Sequence, residues 1–466
     1  MAFDSITFAL FLPLVFVLYW ALHRRSHLWQ NVLLLAASYV FYGWWDWEFL
    51  GLIMLTTWSA FLCALWVERW QEEGRHRRAL AANIFNCVLN LGVLGLFKYY
   101  DFFAGSFNAL MSGMGLHADW PLLHLVLPVG ISFYTFQALS YTIDVYRGDI
   151  RAERDSVSLA TYLAFFPQLV AGPIERAHRL LPQFNASRSF SSQEAVLGCR
   201  QMLWGFAKKI IIADNCAPIV EQIYADPTSA GGSALVYATV LFGFQIYADF
   251  SGYSDIAIGT ARLFGIRLSA NFDNPYFATS IPDFWRRWHI SLTSWFRDYV
   301  YIPLGGSRRG RWRTWANTLL VFSLSGLWHG ANWTFVLWGF YHGLLFLPWC
   351  MGWLVRDKRP DERSFVQRLP AMSVTFVLVC FGWLLFRAEN VATVGTILTH
   401  IVGQKDLSFM RYSKSIVFFV ALMLAAEWWH LPWPRQRWMR WAVYYLFIAL
   451  MLWKATASTQ FIYFQF

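Results

Sequence analysis

MAFDSITFALFLPLVFVLYWALHRR, residues 1–25, decides the fold class of this chain. A run of about 20 mostly apolar residues is long enough for an α-helix to cross the hydrocarbon core of a membrane. The stretch has no basic segment before its apolar run and no small-residue cleavage site after it. We therefore expect a first spanning helix that stays in the protein, not a signal peptide that is removed.

The composition extends this expectation to the whole chain. Of its 466 residues, 57% are hydrophobic, 19% are aromatic and only 14% are charged, whereas about 25% of the residues of an ordinary soluble domain are charged. The sequence thus predicts an all-α polytopic membrane protein without a separate soluble domain. The net charge of +10 comes from short basic clusters between apolar runs, which argues against nucleic acid as a partner.

The apolar stretches predict about 11–12 transmembrane helices. They lie near residues 5–22, 31–46, 48–67, 80–101, 123–146, 196–219, 234–265, 314–330, 331–352, 371–387, 415–432 and 441–459. A further apolar stretch, YLAFFPQLVAGPIER (162–176), is short and contains Pro167, Gly172 and Pro173. We expect a re-entrant or broken helix there, which is tolerated at membrane depth where protein or a cavity covers the backbone.

The loops between the first five spans alternate in charge. Loops with arginine lie at 23–30, 68–79 and 147–156, and loops without lysine or arginine lie at 45–48 and 104–122. Because cytoplasmic loops carry an excess of lysine and arginine, the sequence predicts that the first group is cytoplasmic. The second group and the N-terminus are then outside. The same rule places the basic stretches 262–313 and 356–363 in the cytoplasm.

Polar residues within apolar stretches are the candidate site residues, because ionisable groups are costly at membrane depth and commonly mark functional sites. They are, in chain order, Asp249, Ser251, Tyr253, Ser254, Asp255, Arg286, Arg287, His289, Arg297, Asp298, His329 and His342. Several of them, His329 included, also have a structural explanation. The aspartates could pair with nearby arginines, the arginines could mark the cytoplasmic side and nothing more, and His342 could be a packing histidine bonded to a carbonyl.

The motifs of several enzyme classes are missing from these stretches. No HxxxH or HExxH spacing links their histidines, and the chain has no CxxC pair, so no metal site is predicted. GxSxG, P-loop and GxGxxG motifs do not occur either. Two histidines in tryptophan-rich, apolar surroundings remain. Desolvation disfavours imidazolium, and a neutral imidazole is a competent general base at pH 7.

At these residues the chain resembles the membrane-bound O-acyltransferase family, in particular its bacterial branch for alginate O-acetylation. The resemblance covers almost the whole chain and includes FYGWW, FPQLVAGPIER, QIYADFSGYSDIAIG, NPYFATSIPDFWRRWHISLTSWFRDYVYIPLGG and SGLWHGANWTFVLWGFYHG. It implies a many-helix fold with a tunnel through the membrane. It also implies one integral membrane domain over 1–466, with N-terminal helices in 1–150, an acyltransferase core in 151–350 and C-terminal helices in 351–466.

The resemblance further implies an O-acetyltransferase of the bacterial cytoplasmic (inner) membrane, which moves an acyl group from a cytoplasmic thioester to an acceptor hydroxyl. His329 is implied as the catalytic histidine and His289 as the family's second marked position. His329 would take the hydroxyl proton. His289, Asn332 or a tryptophan N–H, such as that of Trp328, would orient the hydroxyl or stabilise the oxyanion.

The remaining candidates are expected to bind substrate. Arg286, Arg287 and the LGGSRRGR loop (304–311) are expected to hold the phosphates of the donor, and Asp249 and Tyr253 are expected to contact substrate. The glycines that flank His329 are expected to leave room for the donor arm. No bound cofactor is expected, and acetyl-CoA is the expected acyl donor.

The expected partners are an acyl-CoA or acyl-carrier donor, an extracytoplasmic acetyltransferase protein, a polysaccharide acceptor and membrane lipid. The acceptor stays open among alginate, cellulose, peptidoglycan and other glycans. Three alternatives also stay open. They are a D-alanyl transferase that acts on teichoic acid with a carrier-protein donor, a polytopic transporter without acyl chemistry, and a scaffold in a secretion complex. A transporter would favour an inverted internal repeat, which the sequence does not show.

Overall fold

The computed structural model describes residues 1–23, 25–117, 119–354, 364–404, 406–455 and 461–462. Within these residues every regular element is helical, and the predicted all-α class is confirmed. Arg24 and the predicted cytoplasmic loop 356–363 lie outside the described residues.

Twenty-one α-helices follow one another along the described part of the chain. They are α1 (Ile6–Ala21), α2 (His27–Gly43), α3 (Leu50–Glu72), α4 (His76–Leu94), α5 (Tyr100–Gly113), α6 (Ile131–Arg147), α7 (Ser156–Ala164), α8 (Phe166–Leu169), α9 (Ala177–Asn185), α10 (Ser192–Ala207), α11 (Asp214–Ala225), α12 (Gly232–Leu263), α13 (Ile281–Arg287), α14 (Ile290–Phe296), α15 (Arg311–His329), α16 (Trp333–Leu345), α17 (Leu347–Cys350), α18 (Phe365–Arg387), α19 (Val391–Gly403), α20 (Ser415–Trp428) and α21 (Arg437–Lys454). Short π-helical segments cover Gly95–Tyr99, Lys208–Ala213 and Arg297–Tyr301.

Four helical stretches in the described ranges are long and apolar enough to cross a membrane. They are Leu50–Glu72, His76–Gly113, Gly232–Leu263 and Phe365–Arg387. The predicted polytopic membrane character is thus confirmed. Other predicted spans correspond to shorter apolar helices, such as α1, α19 and α20, so the number of 11–12 spans and the side of each loop stay predictions.

Two element boundaries in the N-terminal third differ from the prediction. The range 104–122 was predicted as a loop, yet the helix runs on through α5 to Gly113. The carboxylate of Asp101 then accepts the backbone N–H groups of Leu123 and His124, at 2.7 and 2.8 Å. These bonds hold the chain alongside α5, and α6 begins only at Ile131.

The segment 162–176 is a broken helix, as predicted. Helix α7 ends at Ala164, the single turn α8 follows, and residues 170–176 are not helical. Gly172 packs directly on this turn, because a Cβ atom there would lie 2.4 Å from the Cα of Gln168. The Gln168 amide donates to the Tyr162 carbonyl at 2.8 Å, so the break is closed by hydrogen bonds within the protein.

The chain forms two compact units, and the first comprises residues 1–202 and 256–269. Its helices are joined by buried asparagines. Asn31 Nδ2 donates to Ser158 Oγ at 3.1 Å and to the Phe184 carbonyl at 2.9 Å, which connects α2, α7 and α9. Asn86 Nδ2 donates to Thr142 Oγ1 at 2.9 Å, which connects α4 and α6.

The second unit comprises residues 203–255 and 270–466, and its α15 and α16 pack closely. The glycines that flank His329, Gly326 and Gly330, were expected to leave room for the donor arm. The structure gives them a packing role instead. A Cβ atom at Gly326 would lie 2.1 Å from the Phe335 carbonyl oxygen, and one at Gly330 would lie 2.1 Å from the Phe335 ring. Both spaces are thus filled by α16.

Candidate active site

His329 is the last residue of α15 and is buried, with 4% of its surface exposed. Aromatic rings of the described residues surround its imidazole. The ring centroids of Trp328, Trp338 and Phe386 lie 5.0, 5.1 and 5.4 Å from that of His329. Trp338 meets the imidazole at an interplanar angle of 89°. The imidazole of His329 therefore lies in a buried enclosure that is mainly aromatic.

A second buried histidine, His289, lies beside it, with its ring centroid 6.3 Å from that of His329. His289 connects α13 and α14 in the left-handed backbone conformation, with φ 43° and ψ 54°. Its Nδ1 lies 3.0 Å from Asn271 Oδ1. The ring of Phe250 packs against its ring in a T-shaped arrangement, with the two centroids 4.7 Å apart. Burial lowers the pKa of His289 to about 3, so this imidazole is neutral near pH 7.

Asp249 and Asp255, two candidates on α12, form ion pairs with lysines of the π-helical segment at 208–213. Lys209 Nζ lies 2.9 Å from Asp249 and 2.8 Å from Asp214, and Lys208 Nζ lies 2.5 Å from Asp255. The structural explanation, in which the aspartates pair with nearby basic residues, is confirmed. The partners are lysines, however, and not the arginines that were expected. Neither lysine was among the predicted site residues, although the adjacent KK pair within the apolar stretch GFAKKIIIA is a signal for them.

Asp249 and Tyr253 also contact residues 461–462. The ring of Phe461 lies 4.6 Å from that of Tyr253, and the Ile462 N–H donates to Asp249 Oδ2 at 2.7 Å. Both predicted substrate residues are therefore already engaged with other parts of the second unit. Their contact with substrate stays a prediction.

Arg286 and Arg287 lie on α13 and share one carboxylate. Asp283 Oδ1 is 3.2 Å from Arg286 Nη2 and 3.1 Å from Arg287 Nε. Arg287 also donates to the Asp273 carbonyl at 3.3 Å. The two guanidinium groups are thus arranged differently, because Arg287 braces the chain around Asp273 whereas Arg286 stays more exposed.

A cavity of about 410 Å³ lies in the second unit, with Arg286 and Arg297 in its wall. Arg287 and the loop 304–311 do not line it. The aromatic and aliphatic part of the wall consists of Pro282, Trp285, Ile290, Phe296, Tyr301, Val321, Phe322 and Phe346. The cavity is therefore mainly apolar, with two cationic side chains from α13 and the π-helical segment at 297–301.

Two indole rings connect this cavity with the histidine. Trp285 lines the cavity, and its ring centroid lies 5.6 Å from that of Trp338, which in turn packs on His329. Ser325 lines the cavity as well and precedes His329 by one helical turn, on the same face of α15. The cavity and the enclosure of His329 are thus neighbours separated by aromatic side chains.

His342 and Asn332 have structural partners. His342 is buried, and its Nδ1 accepts the Trp285 indole N–H at 3.3 Å. His342 is thus a packing histidine, as the structural explanation supposed, but its partner is an indole and not a carbonyl. Asn332 caps α16 by accepting the Thr334 N–H at 3.1 Å, and donates to the Glu389 carbonyl at 2.8 Å. A role of Asn332 or Trp328 toward substrate stays a prediction.

The helical fold and the enclosed pair of histidines define a polytopic membrane protein with a desolvated, histidine-based site. The family model described as MBOAT, membrane-bound O-acyltransferase family, matches residues 149–381, which include both His289 and His329. The chain belongs to the membrane-bound O-acyltransferase family, and it is an O-acyltransferase.

Similar proteins carry names for acyl transfer to alginate, peptidoglycan or teichoic acid. The chain is 44% identical over 398 residues to the probable alginate O-acetylase AlgI of Azotobacter vinelandii. The aligned residues make up 84% of this chain and 76% of that protein. It is 33% identical over 441 residues to the peptidoglycan O-acetyltransferase of Helicobacter pylori, with 88% and 81% covered. It is 28% identical over 319 residues to the teichoic acid D-alanyltransferase of Bacillus subtilis, with 62% and 78% covered.

Proposed function

We propose that this enzyme moves an acetyl group from acetyl-CoA in the cytoplasm toward hydroxyl groups of an extracytoplasmic polysaccharide, with His329 as the general base. The observation that carries the proposal is the pair of buried histidines, 6.3 Å apart, inside an aromatic enclosure. The names of the relatives support acetyl as the group transferred and a polysaccharide as the acceptor.

The reaction needs only the two substrates and a group that moves one proton. The acceptor hydroxyl oxygen attacks the thioester carbonyl carbon, a C–O bond forms, and the C–S bond breaks. The hydroxyl proton passes to the imidazole of His329 and then to the departing thiolate, so that an ester and a thiol result. The indole N–H groups of Trp328 and Trp338 are candidates to stabilise the negative oxygen of the intermediate, because both rings border the imidazole.

The arginine-lined cavity is the proposed entrance of the donor. Its volume of about 410 Å³ falls in the range of about 300–1,000 Å³ that is typical of small-molecule sites. Arg286 and Arg297 supply positive charge for the donor phosphates, and the apolar wall suits the uncharged arm that carries the thioester. The sequence suggested that Arg286 and Arg287 hold the donor phosphates. In this proposal Arg297 takes that role in place of Arg287, because Arg297 lines the cavity and Arg287 does not.

We further propose that the enzyme lies in the bacterial cytoplasmic (inner) membrane and passes the acetyl group to an extracytoplasmic acetyltransferase partner that completes the transfer. Acyl-carrier protein as donor, with teichoic acid as acceptor, is the alternative. The lower identity to the teichoic acid D-alanyltransferase, 28% over 62% of this chain, favours acetylation over that alternative.

The test uses the purified full chain in proteoliposomes with radiolabelled acetyl-CoA. We expect His329→Ala and His329→Gln to accumulate as folded protein but to lose about 10²–10⁴-fold in acetyl transfer, as is usual when a general base is lost. Protein amount and thiol release are measured on the same samples. An active, well-expressed His329→Gln would sink the proposal, because glutamine keeps a hydrogen bond but cannot accept the proton.

A further inference from the structure

The left-handed residue His289 is fixed from several sides within the second unit. Its side chain is buried against Phe250, and the Ile290 N–H that follows it donates to the Asn271 carbonyl at 2.9 Å. Histidine and asparagine adopt the left-handed region more readily than most residues, but they still do so rarely. The conformation of His289 is therefore imposed by its surroundings, and Asn271 supplies part of them through its backbone.

The side chain of Asn271 is also buried, with 1% exposed, and its hydrogen bonds determine which way its amide points. Asn271 Oδ1 faces the backbone N–H of Ser291 at 3.4 Å and the Ser291 hydroxyl at 2.9 Å, while Nδ2 donates to Ser254 Oγ at 3.3 Å. A backbone N–H can only donate, so the atom that it faces is the amide oxygen.

This orientation sets the proton of the histidine. Because Asn271 Oδ1 is an acceptor, His289 Nδ1 at 3.0 Å has to be the donor. In a neutral imidazole only one ring nitrogen carries a proton. His289 Nε2, which is buried, is then the nitrogen with the lone pair.

We infer that Asn271 is a positioning residue that holds His289 in the tautomer with its proton on Nδ1, and so keeps Nε2 as a proton acceptor. The inference rests on the proposed function and deepens it. Of the two roles that the sequence allowed for His289, it excludes hydrogen-bond donation from Nε2 to an oxyanion while the ring is neutral. It assigns His289 to the path of the hydroxyl proton, together with His329.

The proton path balances without a further reactant. Nε2 accepts a proton that originates on the acceptor hydroxyl, directly or through His329, and becomes part of an imidazolium that still donates from Nδ1 to Asn271. The same proton leaves from Nε2 to the thiolate once the C–S bond has broken. Phe250, Phe272 and Trp328 form apolar walls of the ring, and the titratable ring of His329 contacts it as well.

Two substitutions at Asn271 test the inference by kinetics and not by stability alone. Asn271→Ala removes the acceptor. We expect kcat to fall roughly ten- to a hundredfold, by analogy with groups that orient metal-ligating histidines, with little change in the KM for acetyl-CoA. Asn271→Asp keeps an acceptor of the same shape and adds a negative charge, which stabilises imidazolium. The pKa of His289 then rises, and the acid limb of the pH–rate profile moves to higher pH.

The matched control is Asn86, a buried asparagine of the first unit that donates to Thr142. Asn86→Ala and Asn86→Asp are expected to lower the amount of folded protein while leaving kcat per folded molecule and the pH–rate profile unchanged. If Asn271 were merely structural, its variants would behave in the same way, and that result would overturn the inference.

The outcomes separate this inference from the proposed function. Wild-type kcat in Asn271→Ala, or a pH–rate profile of Asn271→Asp that coincides with the wild type, overturns the positioning role. If Asn271→Ala does not accumulate, the profile of Asn271→Asp alone decides. Full activity of His289→Ala and His329→Ala would instead contradict the proposed function itself. If His289→Ala is inactive but the Asn271 variants have the kinetics of the wild type, only the positioning role is rejected.

Discussion

His289 and His329 lie on different elements of the second unit, yet their ring centroids are 6.3 Å apart and both rings are buried. The end of α15, which carries His329, therefore lies beside the turn between α13 and α14, which carries His289. Because a buried imidazole is disfavoured as a cation, the two adjacent rings are unsuited to carrying one positive charge each. The pair is thus better described as one site than as two independent residues.

A double-mutant cycle tests whether the pair acts as one site. We expect His329→Ala and His289→Asn each to lower acetyl transfer strongly, and the double variant to be no slower than the slower single variant within about threefold. Asparagine is chosen at 289 because it tolerates the left-handed backbone better than alanine. Losses that multiply in the double variant would show two independent contributions.

The cavity yields a prediction about arginines. Arg286 and Arg297 line it, whereas Arg287 does not. Loss of a charge-assisted contact costs about 1.5–3 kcal/mol, roughly ten- to a hundredfold in affinity. Arg286→Ala and Arg297→Ala should therefore raise the KM for acetyl-CoA by about that factor with little change in kcat, as measured by steady-state kinetics.

Two controls accompany the arginine variants. Arg267, whose exposed guanidinium pairs with Glu194 at 3.1 Å in the first unit, should tolerate alanine with an unchanged KM. Arg287→Ala is expected to affect the amount of folded protein more than the KM. A raised KM in Arg287→Ala alone would favour the placement that the sequence suggested and would argue against this cavity as the donor entrance.

The sequence was sufficient for features that depend on local pattern. Apolar run length predicted the four helical stretches that are long enough to cross a membrane, and Pro167 with Gly172 predicted the break after α7. His329 stood out because a polar residue interrupts an apolar stretch. Each of these signals lies within one helix or one turn, so a short stretch of sequence is sufficient to predict the feature.

The contacts that define the site are not local. Asn271 meets His289 only because the chain turns back between them, and an asparagine in a loop gives no sign of a buried partner. The lysines at 208–209 occur in an apolar stretch, but periodicity does not say that they face Asp249 and Asp255 on α12. The glycines beside His329 were noticed, yet their role depended on where Phe335 lies. Pairings across elements need the three-dimensional structure.

The ion pair of Lys209 with Asp249 and Asp214 predicts a stability effect. Removal of one partner of a buried pair leaves an uncompensated charge and costs about 3–5 kcal/mol. We expect Lys209→Met to lower the melting temperature and the folded amount in detergent, and Asp249→Asn in the same chain to restore part of the loss. If Asp249→Asn alone left the melting temperature unchanged but raised the KM for the acceptor, Asp249 would contact substrate as the sequence predicted.

The packing of α15 on α16 predicts which glycine is indispensable. A Cβ atom at Gly326 would lie 2.1 Å from the backbone oxygen of Phe335, whereas one at Gly51 on α3 would meet no atom within 4 Å. Gly326→Ala should therefore force the two helices apart, shift His329 at the end of α15, and lower both the melting temperature and acetyl transfer. Gly51→Ala should be tolerated or stabilise by up to about 1 kcal/mol, because alanine favours helix over glycine. Melting curves and activity of the two variants, measured side by side, decide the matter. A Gly326→Ala variant that matched Gly51→Ala in both measurements would mean that α16 does not approach α15 this closely.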